Sequence, residues 1–367
     1  MKIDHVHFYV EDAKIWRDWF VSHLGFQAVT DDFIPPNLTK SNLGESFHSH
    51  TEIVKSGSVC FLLSSPLLPT SPVAEYLRLH PPGVADVAFA VEDVQKAIAD
   101  ASSHNAKILQ PIQKHQQGDQ YVKWSKIAAW GSLTHTLIER RHLGEGESGR
   151  QGDKHKFVSS GLATSPTAID HIVLNVAAGD LEDAVAWYEN VLDFQPQQAF
   201  KIKTDRSALY SRVMLSRNGN VQIPINEPAS PNSQIQEFLD VNRGAGIQHI
   251  ALQTPNLVQA IAQFRHNGLS LLPVPNTYYS QLKQREKLPL SLLELEAIAL
   301  EEILVDWKED NLKGLLLQIF TQPIFGQPTF FFEFIERRSQ AQGFGEGNFR
   351  ALFEAIEKEQ IKRGSLQ

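Results

Sequence analysis

The chain has 367 residues, 42% hydrophobic and 21% charged, which is the composition of a globular protein with room for two domains. Its 34 basic residues against 42 acidic ones give a net charge of −8, which argues against a nucleic-acid-binding face. The single cysteine, Cys60, excludes an intramolecular disulfide, and we expect a reducing, cytoplasmic compartment. We expect no signal peptide, and the apolar runs are too short to cross a membrane.

In chain order, the first elements alternate between strands and helices. Residues 3–6 (Ile-Asp-His-Val) predict a strand, and the helix that follows has Asp12 as its N-cap. Residues 58–64, like 207–215 later in the chain, predict a strand because they are short, β-branched and bounded by turn residues. Residues 83–89 predict the first strand of a further module. A second helix is predicted at 94–101.

The same elements return later in the chain. Residues 169–172 (Ile-Asp-His-Ile) repeat the first strand, Asp180 is the matching N-cap, and 246–252 repeat the strand before the second helix. The tetrad Ile-Glu-Arg-Arg stands at 138–141 and again at 335–338. Three landmarks in the same order predict an α+β duplication, with two strand–helix–strands modules in each half.

The segment between the halves, residues 144–166, is rich in Gly, Ser and charge and predicts a linker. It divides the chain into predicted domains at 1–143 and 167–367. The second half is longer because a leucine-rich helical pattern at 278–311 lies between two of its strands.

A glycine-rich run at 343–347 lacks the lysine and hydroxyl of a phosphate loop, so we expect a hinge or lid there. Asn348 is the predicted N-cap of a final helix. The predicted apolar face of that helix consists of Phe349, Leu352, Phe353, Ile356 and Ile361.

Three residues interrupt apolar strands of the second half: His171, His249 and Glu333. A buried, unpaired carboxylate costs several kcal/mol, and a divalent cation would compensate it. Two imidazoles and one carboxylate suit non-haem Fe(II), with zinc as the competitor. The first half has kept one of the three residue types. Its matching residues are His5, Asp86 and Thr136.

Structural alternatives stay open for each of these residues. A single strand histidine is more often a satisfied core residue than a ligand, and Glu333 has Arg337 and Arg338 as possible ion-pair partners. His48 and His50 share a strand face but have no acidic partner nearby, so a metal role is disfavoured. Cys60 is interpreted as a core residue.

Several segments of the second half form a distinctive set: 226–228, 233–236, 244–249, 317–321, 332–333 with 335–337, and 343–349. As a set they resemble the 4-hydroxyphenylpyruvate dioxygenase family. The resemblance covers mainly residues 169–360, with the first half matching as the family's degenerate copy. It implies a vicinal-oxygen-chelate fold with two open-barrel domains, and one Fe(II) per chain on His171, His249 and Glu333.

The resemblance also implies a substrate pocket with a polar and an aromatic part. Gln318, Gln248 and Asn226 would act on the reacting substrate. The other implied pocket residues are Ser211, Gln234, Phe320, Phe331, Phe344, Asn348 and Phe349. The C-terminal helix would be a gate, and Glu346, where the family usually has a basic residue, would alter the gate's charge.

The implied reaction turns an aromatic 2-oxo acid, 4-hydroxyphenylpyruvate, and O₂ into homogentisate and CO₂, for tyrosine breakdown or prenylquinone synthesis. The substrate carries its own 2-oxo acid, so no external 2-oxoglutarate is expected. The implied assembly is a homodimer or homotetramer. The alternatives are 4-hydroxymandelate synthase, an extradiol ring-cleaving dioxygenase, and a non-catalytic ligand-binding protein of the same fold.

Overall fold

The computed structural model describes residues 1–29, 48–142, 164–204, 206–285, 288–308, 311–339 and 341–364. The side chains at positions 117, 142, 308, 311–313, 346, 349 and 350 also lie outside the description. The predicted linker at 144–166 therefore lies almost entirely outside the described residues, as do the side chains of Glu346 and Phe349.

The first half forms an eight-stranded sheet in the order β2-β3-β4-β1-β5-β8-β7-β6. Its strands are β1 (Lys2–Tyr9), β2 (Gln27–Ala28), β3 (Ser49–Ser56), β4 (Val59–Pro66), β5 (Gly83–Ala90), β6 (Ile108–Gln117), β7 (Gln120–Ala128) and β8 (Thr134–His142). Its helices are α1 (Ala13–Leu24), α2 (Pro72–Leu79) and α3 (Val94–Ser103).

The second half repeats this sheet in the order β10-β11-β12-β9-β13-β16-β15-β14. Its strands are β9 (Ala168–Asn175), β10 (Phe194–Lys203), β11 (Ala208–Ser216), β12 (Gln222–Pro228), β13 (Gly246–Gln253), β14 (Leu304–Lys308), β15 (Asn311–Phe320) and β16 (Phe331–Arg338). Its helices are α4 (Leu181–Leu192), α5 (Gln234–Asn242), α6 (Leu257–His266), α7 (Asn276–Leu282), α8 (Leu292–Leu300) and α9 (Phe349–Arg363). The predicted α+β duplication of βαβββ modules is confirmed.

Two helix caps show how local sequence sets the ends of α1 and α4. Asp12 accepts hydrogen bonds from the backbone of Lys14 and Ile15, as predicted. Asp180 occupies the matching position, but its side chain makes no capping bond, so that prediction is wrong. Glu227 from β12 caps α4 instead, because its Oε2 accepts from the Gly179 and Leu181 amides at 2.9 and 3.2 Å.

The leucine-rich stretch at 278–311 is not one helix. It forms part of α7, then α8, then β14, and only Leu295 and Ile298 of α8 are buried. Leu292 and Leu300 stay largely exposed. The apolar pattern of this stretch therefore overstates how much of it is buried.

One continuous hydrophobic core joins the two sheets. Phe8 of β1 contacts Phe330 edge-to-face at 5.2 Å, and Phe20 of α1 meets Phe332 of β16 at 5.8 Å. Strand residues alternate between faces, so the residues next to Phe332 point into the opposite, concave side of the second sheet. No helix among the described residues is long and apolar enough to span a bilayer.

Candidate metal centre and its cavity

Three adjacent central strands place His171, His249 and Glu333 on one face of the second sheet. His171 lies on β9, His249 on β13 and Glu333 on β16. Ala251 of β13 pairs with His171 on one side and with Glu333 on the other. Because Ala251 is small, the two longer side chains can approach each other across it.

The three side chains form a compact group of potential ligand atoms. Each offers one atom, and these atoms all lie within 4.8 Å of one another. Glu333 Oε2 is 3.2 Å from His171 Nε2 and 3.6 Å from His249 Nε2. Glu333 is only 3% exposed, and its Oε1 has no hydrogen-bond partner among the described residues. A buried carboxylate with an unsatisfied oxygen beside two imidazole nitrogens fits a divalent metal.

The electrostatics of the two histidines differ. Burial lowers the pKa of His171, but the neighbouring Glu333 and Asp170 carboxylates outweigh it and raise the pKa to about 9. Burial, and then the charge on His171, hold the pKa of His249 well below its usual value. His249 is therefore neutral, which is the form that ligates metals, whereas His171 must give up its proton to do so.

The ring of each histidine is held from behind or from the side. His171 Nδ1 hydrogen-bonds Asp170 Oδ1 at 2.9 Å, which directs Nε2 toward Glu333. Phe331 stacks on the His249 ring at 4.7 Å between ring centres, and Phe344 meets His171 edge-to-face at 5.2 Å. Both imidazoles are thus fixed in orientation by their surroundings.

A bulge in β13 brings Gln248 to the same cavity as its neighbour His249. Ile247 pairs with Leu174 and His249 pairs with Val173, so Gln248 is the extra, unopposed residue. Consecutive residues of a regular strand point to opposite faces, and a bulge removes that restriction. The first half keeps this bulge, with Ala85 as the unopposed residue.

The triad lies in the wall of a cavity of about 80 Å³. Most of its lining is apolar, and the polar part consists of the triad and five further side chains. The predicted residues that line it are Ser211, Asn226, Gln234, Gln248, Gln318, Phe320, Phe331 and Phe344, together with the triad.

Ten further residues line the cavity without having been predicted to do so. They are Val173, Phe200, Ile202, Leu209, Val213, Pro224, Ile235, Leu352, Phe353 and Ile356. The signal for Leu209 and Val213 was available, because they lie two residues either side of Ser211 on one strand face. The apolar positions 352, 353 and 356 were predicted to form a helix face, but only the tertiary structure places that face over the cavity.

Asn348 has a different role from both of its predictions. Its side chain makes no capping bond to α9 and does not line the cavity. Its Nδ2 donates to Gln318 Oε1 at 3.3 Å, and its Oδ1 accepts from the Tyr278 hydroxyl at 2.8 Å. Asn348 therefore connects the start of α9 to a cavity residue.

The glycine-rich run before α9 approaches Gln318 closely. Gly345 has a φ of +72°, and a Cβ at this position would collide with the Gln318 side-chain oxygen. Glycine is therefore required here both for its conformation and for lack of space.

The predicted apolar residue Ile361 is 42% exposed, so the apolar face of α9 ends before it.

One alternative reading is wrong, and so is one premise: the lack of an acidic neighbour for His50. Glu333 pairs with neither arginine, since Arg337 binds Asp170 at 2.7 Å and Arg338 binds Glu336 at 2.6 Å. His50 does have an acidic neighbour, because its Nε2 lies 2.7 Å from Glu52 Oε1. Both residues of that pair belong to β3, and both side chains are partly exposed.

Comparison with known proteins identifies the class and then the family. Models of the glyoxalase/bleomycin resistance protein/dioxygenase superfamily match residues 4–122 and 168–285, one in each half. Within this class the chain belongs to the 4-hydroxyphenylpyruvate dioxygenase family. The 4-hydroxyphenylpyruvate dioxygenase of Dictyostelium discoideum is 38% identical over 99% of both chains. That of Coccidioides posadasii is 36% identical over 99% of this chain and 94% of its own.

A solved structure agrees with this placement. A triple mutant of 4-hydroxymandelate synthase from Streptomyces coelicolor superposes with a TM-score of 0.80 and 26% identity, covering 98% of both chains. The chain is accordingly a dioxygenase enzyme, and its family implies a metal at a site such as this triad.

Proposed function

We propose that this enzyme converts 4-hydroxyphenylpyruvate and O₂ into homogentisate and CO₂, with one Fe(II) per chain and no external 2-oxoglutarate. The observation that carries the proposal is the buried triad facing a mainly apolar cavity with five further polar side chains, in a chain of this family. The substrate is an aromatic 2-oxo acid, whose ring suits the apolar lining and whose polar ends suit the amides and hydroxyl.

His171, His249 and Glu333 would hold the iron. Two neutral imidazoles and a carboxylate leave open positions on a metal, which is the arrangement of non-haem Fe(II) oxygenases. When bound there, iron supplies the activation of O₂ and the oxidising power for decarboxylation and ring hydroxylation. Zinc fits the same ligands, but it has no redox chemistry to offer.

The polar side chains would orient the substrate. Gln234 Oε1 is buried in the lining and has no hydrogen-bond partner among the described residues, so it can accept one from the phenolic hydroxyl. Gln248, Gln318 and Asn226 present amides to the same cavity. Fixing the ring relative to the side chain favours attack at one ring carbon and hence one product.

The aromatic walls and α9 would exclude water during the reaction. Phe320, Phe331 and Phe344 line the cavity, and Phe353 of α9 covers it. An apolar cavity covered by a helix protects reactive species from quenching by solvent. The buried carboxylate of Glu357 fastens α9 by accepting from Thr204 Oγ1 at 2.5 Å and Ser207 Oγ at 2.6 Å.

The test is oxygen uptake by the Fe(II)-loaded enzyme with 4-hydroxyphenylpyruvate, followed by chromatography of the product. We expect one O₂ consumed and one homogentisate formed per substrate. 4-Hydroxymandelate as the main product would make the chain a 4-hydroxymandelate synthase, the alternative favoured by the structural match. Uptake with a catechol but not with the 2-oxo acid would indicate an extradiol dioxygenase. Protein that binds the substrate but consumes no O₂ after incubation with Fe(II) would indicate a ligand-binding protein.

We also propose a homodimer or homotetramer of chains with domains at 1–143 and 167–367 joined by a linker at 144–166, in a reducing compartment. The two superfamily matches, which fall on either side of the linker, support the domain bounds. Light scattering coupled to size exclusion would measure the assembly, and limited proteolysis would test the linker.

A further inference from the structure

The carboxylate behind His171 belongs to a hydrogen-bond network that reaches the start of α9. Asp170 is 6% exposed, and both of its oxygens are used. Oδ1 bonds His171 Nδ1 at 2.9 Å, and Oδ2 accepts from Gln253 Nε2 at 2.7 Å. Arg337 donates to both oxygens, each at 2.7 Å, in a bidentate pair.

Backbone geometry explains why Asp170 can reach its own neighbour. In the pairing of β9 with β13, Ala251 faces His171 and Leu252 faces Ile169, so Asp170 is the unopposed residue of a bulge. In a regular strand, Asp170 and His171 would point to opposite faces. The bulge places the carboxylate beside the imidazole.

Arg337 has a second function besides holding Asp170. Its Nη1 donates to the carbonyl oxygens of Ala341 and Gly343, at 3.0 and 2.9 Å. Gly343 immediately precedes Phe344, the residue that packs against His171 and lines the cavity. One guanidinium thus binds both the carboxylate that orients a candidate metal ligand and the backbone that leads into α9.

The first half keeps this pair without the triad. Asp4 bonds His5 Nδ1 at 2.7 Å, and Arg140 donates to both Asp4 oxygens at 2.9 Å. Asp4 also lies in a bulge, between Ile3 and His5. The chain therefore contains a matched control for the pair, on strands that lack the glutamate.

We propose that Asp170 and Arg337 are positioning residues that fix the His171 ring and the Ala341–Phe344 backbone together, so that metal affinity and the opening of α9 depend on the same pair. The inference rests on the proposed role of His171 as a metal ligand. Outer partners of a histidine ligand set its tautomer and ring orientation, and their loss weakens metal binding by roughly 10- to 100-fold.

The experiment compares Asp170→Asn with Asp4→Asn in the full chain. Co(II) is the probe, with affinity measured by its visible absorption in competition with a chelator, so that no turnover is needed. We expect Asp170→Asn to weaken Co(II) binding by about tenfold or more and to change the absorption spectrum. Asp4→Asn should leave the Co(II) affinity and the spectrum unchanged. The two variants should lower the thermal midpoint of the metal-free protein by similar amounts. Equal Co(II) affinities in the two variants would overturn the proposal.

Arg337→Lys tests the connection to the gate, and it decides the matter if Asp170→Asn does not fold. Lysine keeps the charge but lacks the planar fork that reaches both Asp170 and the two carbonyls. We expect amide hydrogen exchange at 341–348 to quicken by roughly tenfold, with no change in the matched Arg140→Lys variant. Unchanged exchange at 341–348 would overturn the proposal.

The proposed function and this inference fail in different ways. Wild-type protein that binds Co(II) no better than Glu333→Ala would overturn the proposed metal centre, and the inference with it. Wild-type protein that binds Co(II) tightly and loses none of that affinity in Asp170→Asn would overturn this inference alone.

Discussion

The two halves of the chain share a backbone but differ in what they place on its concave face. Both sheets have the same strand order, both first strands carry an Asp–His pair backed by an arginine, and both have the same two bulges. The second half presents His171, His249 and Glu333 to its cavity, and the first presents His5, Asp86 and Thr136. The first half thus has the framework that orients a candidate metal-binding histidine, but it lacks the other two residues of the triad.

A lysine occupies the first half's version of the site. Lys126 pairs with Thr136 in the sheet just as Phe320 pairs with Glu333. Its Nζ lies 3.7 Å from Asp86 Oδ1, and Asp86 is 1% exposed. A covalently attached cation therefore lies beside the buried carboxylate in the first half, where the second half places two imidazoles beside Glu333.

The largest effect is expected from removing the carboxylate of the triad. Glu333→Ala should abolish homogentisate formation and reduce metal binding to background, because two imidazoles alone do not complete the ligand set. Thr136→Ala, the matched change in the first half, should turn over like wild type. Oxygen uptake and metal content measure both. Homogentisate formation at the wild-type rate in Glu333→Ala would contradict the assignment of the site.

The next effect concerns the buried pair of the first half. Lys126→Met leaves the Asp86 carboxylate buried without its cation, and we expect a loss of about 3–5 kcal/mol in the free energy of unfolding. Lys123→Met, on the same strand, should cost less than about 1 kcal/mol, since Glu139 keeps Arg141 as a partner. Urea denaturation gives both values.

A double variant separates charge balance from packing at this pair. Lys126→Met combined with Asp86→Asn removes both charges, so it should recover much of the stability lost in Lys126→Met. If the double variant is as unstable as the single one, the lysine acts through its packing, and the comparison with the metal site fails.

The pH dependence of stability should also come from the first half. His135 of β8 stands where the second half has Phe332, and burial lowers its pKa to about 4. In the unfolded chain His135 takes up a proton near pH 6.5, whereas in the folded chain it does so only near pH 4. Stability contributed by neutral His135 is thus complete above pH 6.5 and is lost as the pH falls toward 4.

We expect about 2 kcal/mol less stability at pH 5 than at pH 7 from this group alone. His135 also contacts the second half, through the Tyr188 hydroxyl at 3.0 Å. His135→Gln, which cannot titrate, should make the pH dependence between 7 and 5 shallower, as read from denaturation midpoints. Part of the dependence should remain, because burial also lowers the pKa of His7, to about 3. An equally steep dependence in the variant would assign the effect to other groups.

The smallest effect is expected at the outer end of α9. Arg363 donates two hydrogen bonds to Glu237 of α5, at 3.1 and 2.9 Å, and is 33% exposed. Arg363→Gln should destabilise the closed position of α9 by less than about 1 kcal/mol. Slightly faster hydrogen exchange along α9 would show it, with Lys362→Gln as the control, because Lys362 pairs only within the helix among the described residues. Equal exchange in the two variants would mean that the pair does not fasten α9.

Sequence reasoning was most successful where a pattern occurs twice. The repeated Ile-Asp-His and Ile-Glu-Arg-Arg segments predicted the duplication, and the mismatch between the copies singled out the triad. It failed where a side chain had a choice of partners. Asp180 and Asn348 stand at helix starts, yet Glu227 caps one helix and Asn348 binds Gln318 and Tyr278 instead. Capping depends on which competing partners the fold brings near, and local sequence does not contain them.

The sequence by itself determined the strand periodicity, the duplication and the three polar residues that an apolar sheet face cannot hold without compensation. Only the tertiary structure decided that Ala251 lets His171 and Glu333 meet across one strand, that Arg337 binds Asp170 rather than Glu333, and that α9 covers the cavity. The physical reason is that residue type and spacing fix what each strand must bury. Register, bulges and the docking of distant segments fix which buried groups face one another.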